Sequence, residues 1–273
     1  MSNRISEKFK RLKTENVGGG FIPFIVAGDP NLEISKDLLL LLAENGASVI
    51  ELGVPFSDPV ADGVTIQASA ERALRNSIGV KDILKIVAEV RAANCETPII
   101  LFSYFNPILQ FGLERFADEA RKSGVDGILI TDLVPEEAES FRLILDENDL
   151  NLIMLAAPTS SDERLRKICE KASGFVYAVS RAGVTGARNE SSNDAETLVE
   201  RLRKYTDLPI AVGFGISNAE QIKEVWRYAD AAVIGSAIVK EIERSLDSSD
   251  TIERVGEFVK NLLPNEFSAR ALQ

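Results

Sequence analysis

Histidine is absent from the 273 residues of this chain, cysteine and methionine occur twice each, and tryptophan occurs once. Without histidine there is no Ser-His-Asp or Cys-His nucleophile system and no imidazole-ligated metal site. Cys95 and Cys169 lie far apart and make no C-x-x-C pair, which argues against a thiolate zinc site or a disulfide framework. Long apolar runs are missing too. The longest leucine run, Leu38 to Leu42, is far below the ~18 residues of a membrane span, and the first stretch, to Gly20, has no apolar signal core. With 31 Lys+Arg against 42 Asp+Glu, a net charge of −11 and no basic run, nucleic acid and anionic membranes are poor partners. A cytoplasmic protein taking a small-molecule ligand is expected.

What is present is an ordinary globular composition, 45% apolar and 27% charged, in a chain close to the roughly 250 residues of an α/β barrel. One unit recurs: an amphipathic helix, a small residue or Gly, then a short apolar run ending in polar or Gly residues. It reads Asn45-Gly-Ala-Ser-Val-Ile-Glu-Leu, Ser123-Gly-Val-Asp-Gly-Ile-Leu-Ile, Ser173-Gly-Phe-Val-Tyr-Ala-Val and Ala229-Asp-Ala-Ala-Val-Ile-Gly. The runs are nearly continuous rather than alternating, as in strands buried on both faces. Strands are predicted near 21–27, 48–54, 98–104, 127–133, 151–157, 175–180, 209–214 and 231–235. Ser160 with Glu163, Asn193 with Glu196 and Ser217 with Glu220 read as capping boxes at helix starts. The pattern predicts one (β/α)8 barrel over 1–273, with an extra N-terminal helix and long loops after strands two and six. A doubly wound open sheet is the alternative.

Barrel sites lie at the carboxyl ends of the strands. No lysine stands there, which disfavours Schiff-base chemistry, and the proton-transfer candidates are the carboxylates Asp29, Glu51, Asp58, Asp62 and Asp132. Glu51 is the outlier, because it interrupts the apolar run Val49-Ile50-Glu51-Leu52. It is either a satisfied structural carboxylate or a general acid/base whose pKa burial has raised. Asp62, in Ala61-Asp62-Gly63, reads as a turn or cap if taken alone, and Asp58-Pro59 as turn chemistry. Gly213-Phe-Gly215 and Gly235-Ser236 each precede a helix after the last two strands, where backbone N–H groups bind phosphate. Ser180 to Arg188, with Gly183 and Gly186, has the makings of a lid or of an ordinary surface loop.

The block Ile50-Glu-Leu-Gly-Val-Pro-Phe-Ser-Asp-Pro-Val-Ala-Asp-Gly63 closely resembles the tryptophan synthase α subunit family. The likeness runs from Pro23-Phe24 through Tyr104-Phe-Asn-Pro and Ser180-Arg-Ala-Gly-Val-Thr-Gly to Gly235-Ser. It implies a (β/α)8 barrel that cleaves indole-3-glycerol phosphate to indole and glyceraldehyde 3-phosphate without a cofactor of its own. It also implies pairing with a pyridoxal-phosphate β subunit in an α2β2 heterotetramer. By the same resemblance, Glu51, Asp62 and Tyr177 are the catalytic residues, and Phe24, Tyr104, Leu129 and Phe214 surround the indole. Thr185 is the lid residue that reaches towards Asp62, and Gly186, Gly215, Gly235 and Ser236 contact the phosphate. Two departures stand out. Val64 replaces a customary proline after Gly63, and Phe105 is bulkier than usual, so indole packing near it is expected to differ. The polar tail from Pro264 has no assigned role. Another phosphate-sugar isomerase, or a silent barrel that binds the ligand and only regulates a partner, is the rival reading.

Overall fold

The structure, a computed structural model, describes residues 3–15, 18–179, 188–213, 215–246, 248 and 250–264, with backbone only over 188–193. Its strands close in sequence order into an eight-membered parallel barrel: β1 (Gly20–Val26), β2 (Ile50–Gly53), β3 (Ile99–Ser103), β4 (Gly127–Ile130), β5 (Asn151–Ala156), β6 (Val176–Val179), β7 (Ile210–Gly213) and β8 (Ala231–Ile234). The open-sheet alternative is thereby excluded, since β8 pairs with β1 through Ile22↔Val233. The near-continuous apolar runs follow from this closure. One set of side chains fills the barrel and the other packs under the helices.

The helices are α1 (Arg4–Thr14), α2 (Leu32–Glu44), α3 (Val64–Arg75), α4 (Val80–Ala92), α5 (Phe105–Phe111), α6 (Leu113–Ser123), α7 (Ala138–Glu147), α8 (Asp162–Lys171), α9 (Arg188–Leu202), α10 (Ala219–Val225), α11 (Ser236–Arg244) and α12 (Thr251–Leu262). None among the described residues is long and apolar enough to cross a membrane. Two of the expected capping boxes are displaced by one residue. Ser161, not Ser160, caps α8 by accepting from the Arg164 N–H (3.3 Å), and Asn218, not Ser217, caps α10 by accepting from the Gln221 N–H (3.0 Å). The third falls inside a helix, since α9 already begins at Arg188. Adjacent Ser-Ser and Ser-Asn pairs offer two cap candidates each, and the chain's path onto the barrel chooses between them.

Inside the barrel, Ile22, Val49, Ile100, Leu129, Ile153 and Phe175 form a fully apolar floor. α1 closes its amino end by inserting Ile5 and Phe9, the Phe9 ring lying 5.9 Å from that of Phe175. The helix is tied there by Arg4, which donates to Glu96 (2.8 Å) and to buried Asp126 (3.1 Å). Asp126 also takes Arg91 (2.7 Å) and the Ile99 N–H (2.8 Å). A cleft of about 460 Å³ opens beside α1, lined by Arg4, Arg121, Asp126, Asp149 and Asn151 among others. Four of its charged groups pair there, Arg4 with Asp126 and Arg121 with Asp149, and it lies at the amino ends of β4 and β5, opposite the expected site.

Candidate active site

Strand register brings the site together. Phe24 of β1 pairs with Glu51 of β2, Glu51 with Ile100 of β3, and Tyr177 of β6 with Ala211 of β7. Side chains two residues further along each strand share its inward face, so Glu51, Phe102, Leu155 and Tyr177 rise above the apolar floor. Glu51 is 1% exposed, and its Oε1 has no hydrogen-bond partner among the described residues. Burial alone holds its carboxyl well above the usual carboxylate range. A satisfied structural carboxylate is not what the geometry shows, because such a group would have partners for its buried oxygens.

Tyr177 is half-buried above the same floor. Burial, with the nearby Glu51 and Asp62 carboxylates, pushes its hydroxyl well above the ordinary tyrosine value, so it remains a neutral donor. Its position depends on a glycine. A Cβ at Gly213 would lie 2.0 Å from the Tyr177 hydroxyl oxygen and 2.6 Å from Cζ. Gly213→Ala is therefore expected to push the ring towards Glu51, destabilise the fold by ~1–3 kcal/mol and lower turnover at least about tenfold. Urea melts and steady-state rates measure both, and an unchanged rate would show that Tyr177 need not sit where it does.

Asp62 lies on the connection after β2. It does not cap α3, whose N-cap is Gly63 with no side-chain hydrogen bond. Instead its Oδ2 accepts from the Tyr104 hydroxyl (3.1 Å), which in turn accepts from the Ala61 N–H (2.9 Å). Burial raises the Asp62 carboxyl above its ordinary value and the Tyr104 bond offsets only part of this, while burial pushes Tyr104 itself up to about 12. Tyr104, expected only as an indole contact, is thus also the clamp that aims Asp62, with its ring 5.1 Å from that of Phe56 and tilted 34° to it.

The other carboxylates are structural. Asp29 is buried in an ion pair with Arg72, Asp132 accepts from the Phe105 N–H (2.7 Å) at the start of α5, and Asp58 accepts from the Ser57 hydroxyl (2.6 Å) in a turn. Phe105 needs a correction. Its ring packs on Phe141 of α7 (6.0 Å, edge-on) in the layer between strands and helices, so its bulk does not bear on an indole pocket.

The apolar wall of the site includes residues that the sequence did not single out. Phe102 meets Phe24 edge-on at 5.3 Å, and Leu155 faces inward beside Tyr177. Alternation from Ile100 and Ile153 is the signal for both, but it is usable only once the register is known. Leu129 is fully buried and belongs to the floor of this wall. Phe214, Thr185, Gly186 and the lid candidate up to residue 187 lie outside the described residues.

At the far side, α11 begins at Ser236 with Gly235 as its N-cap and no side-chain cap. The Gly235 carbonyl takes the Ile238 and Val239 N–H groups (2.9 and 3.1 Å), which leaves those of Ser236 and Ala237 for an anion. Gly215 has φ +72°, a backbone suited to glycine. Among the described residues no group of three or more Cys, Asp or Glu side chains could hold a metal ion.

The Tryptophan synthase alpha chain family model matches residues 9–265. The chain belongs to this family. A tryptophan synthase alpha chain of Geobacter sulfurreducens is 49% identical over 242 residues, covering 89% of this chain and 91% of that protein. Among solved structures, tryptophan synthase subunit alpha of Legionella pneumophila superposes with a TM-score of 0.89 at 35% identity, over 100% and 99% of the two chains. A chain from the Pyrococcus furiosus tryptophan synthase α2β2 complex, described for its mutual activation, gives 0.83 at 42% identity over 90% and 97%.

At the mouth, Ser57, Asp58, Glu136 and Glu137 are exposed while Pro55 and Pro135 are buried. The most exposed large apolar side chains among the described residues are Val60 and Val64, at 87% and 82%. Val64 occupies the first position of α3, where the customary proline would fit without loss.

Proposed function

We propose that this chain is a carbon–carbon lyase, cleaving indole-3-glycerol phosphate to indole and glyceraldehyde 3-phosphate as the α subunit of a tryptophan synthase. The observation that carries the reading is Glu51, a protonation-prone carboxyl with an unpartnered oxygen inside a barrel mouth. Protonated Glu51 donates to the indole ring carbon that bears the side chain, making the ring a cationic leaving group. The resulting carboxylate then takes the proton of the hydroxyl on the departing carbon. The carbon–carbon bond breaks as the aldehyde forms, and Glu51 is protonated again. Asp62, aimed by Tyr104, accepts from the ring N–H and offsets the positive charge as it develops. Neutral Tyr177 orients the reacting centre beside Glu51. Phe24, Phe102, Tyr104 and Leu129 enclose the ring, with Phe214 on the resemblance alone. Gly215, Gly235 and Ser236 bind the phosphate, joined by Gly186, and this remote contact orients the bond to be broken, while Thr185 on the lid reaches towards Asp62. Every proton transfer runs through side chains of this chain, with no cofactor.

A β subunit is the partner, and Val60 and Val64 are the apolar contacts it covers on the Asp62 connection. A silent, purely regulatory barrel would have no use for a strained carboxyl such as Glu51, whose retention favours the catalytic reading. The experiment is to mix the full chain with indole-3-glycerol phosphate and follow indole release while a cognate β chain is titrated in. Indole release is expected from the chain alone, rising at least about tenfold on saturation if the β chain shifts a sparsely populated closed state. No release at any β concentration would overturn the cleavage reading, and full activity without β would overturn the activation alone.

A further inference from the structure

The aspartate that follows β1 is not explained by the cleavage chemistry. Asp29 is 1% exposed, yet it is fully partnered. Arg72 of α3 grips it with two parallel bonds, Nε to Oδ1 and Nη2 to Oδ2, both 2.8 Å, and the Ser69 hydroxyl donates to Oδ2. The third arm of the same guanidinium, Nη1, reaches Glu243 of α11 at 3.2 Å. The far end of α3 is held separately, where the Asn76 amide donates to the Pro30 carbonyl (2.7 Å).

The two helices joined here are those that open the two halves of the site. α3 starts at Val64, two residues after Asp62, and α11 starts at Ser236, at the phosphate cradle. Behind Phe24 an apolar cluster already joins them, Ile66, Ala70 and Ala73 of α3 meeting Val239 of α11. Apolar contacts of this kind are non-directional and let helices slide. The fork on Asp29 fixes the place and angle of the Arg72 guanidinium, whose remaining arm then meets Glu243 of α11 through a single directional bond.

We propose that the Asp29–Arg72–Glu243 bridge is a positioning device that locks α3 to α11, so that an anion seated at the start of α11 also steadies the Asp62 connection. Arg72 and Glu243 are positioning residues and touch no reacting atom. The inference rests on the cleavage reading given above.

Glu243 carries the test, because its side chain is 42% exposed and its loss leaves the buried Asp29–Arg72 pair intact. Hydrogen exchange over residues 56–63 is followed in the full chain with and without glycerol 3-phosphate, alongside kcat and KM for cleavage. In the wild type the ligand is expected to slow exchange in that segment. In Glu243→Ala most of this slowing should vanish and kcat should fall about tenfold, within the ~10²-fold that a small misplacement can cost, while KM changes less than about twofold. Glu243→Gln, which keeps an acceptor for Arg72, should restore both. If Glu243→Ala keeps the ligand-induced protection and kcat, or if the ligand leaves exchange at 56–63 unchanged in an active wild type, the bridge is structural only. A wild type that releases no indole would overturn the cleavage reading itself, and this inference with it.

Discussion

Glu51→Gln is expected to bind glycerol 3-phosphate and indole almost as the wild type does while losing at least ~10²-fold in turnover, the scale of a lost general acid/base. The amide matches the carboxyl in shape and fits the same enclosed position between Phe24 and Ile100, but it can neither deliver nor take a proton. Retention of near wild-type cleavage would make Glu51 structural and end the proposed mechanism. The same variant has a second signature in stability. In the unfolded chain Glu51 ionises near its ordinary value of 4.5, whereas in the folded barrel burial makes it hold its proton to a much higher pH. Between those two values the native state binds the extra proton, so stability falls as pH rises through the window and stops falling above the folded pKa. Glutamine carries no such proton. Its stability relative to wild type is therefore expected to improve from pH 5 to pH 8 in urea titrations. Parallel curves for the two proteins would mean that Glu51 ionises as freely in the barrel as in the unfolded chain.

Gly235→Asp should abolish phosphate recognition while sparing the apolar pocket. The protein carries a net charge of −11, so long-range attraction cannot gather an anionic substrate, and capture depends on local N–H groups and the helix dipole. Gly235 has φ −110°, which any residue adopts, and a Cβ there would meet the Phe24 ring at 3.4 Å, an ordinary contact. The substitution is thus expected to fold. A carboxylate about 4 Å from a phosphate charge costs about 4 kcal/mol at an effective dielectric of 20, and solvent at the rim reduces this. Glycerol 3-phosphate affinity is expected to fall at least ~10²-fold by calorimetry, with indole affinity changing less than about threefold. Equal losses for the two ligands would place the phosphate elsewhere or show that the barrel mouth is damaged.

Adjacent residues alone pointed to a barrel, with the open sheet left for strand closure to exclude, and to the outlier within it. Eight apolar runs without alternation require strands covered on both faces, and a carboxylate embedded in one of them, Glu51, declares itself because an apolar strand has no ordinary use for it. The glycines after β7 and β8 stand before helices either as tight turns or as a phosphate cradle, and adjacent residues do not choose between the two. Which carboxylates are already occupied, and what aims the free ones, emerges only from the folded barrel. Asp29, Asp62 and Asp132 look alike along the chain, yet Arg72, Tyr104 and the Phe105 N–H lie 43, 42 and 27 positions away from them. Phe102 and Leu155 became visible as pocket walls only once register set their faces, because a one-residue slip would turn each outward. Gly213 shows the same limit most sharply. Nothing beside it in sequence requires glycine, and the requirement comes from the Tyr177 ring delivered by the neighbouring strand. Local propensity and patterning are written in adjacent residues, whereas partnership between distant side chains arises only when closure of the barrel brings them together.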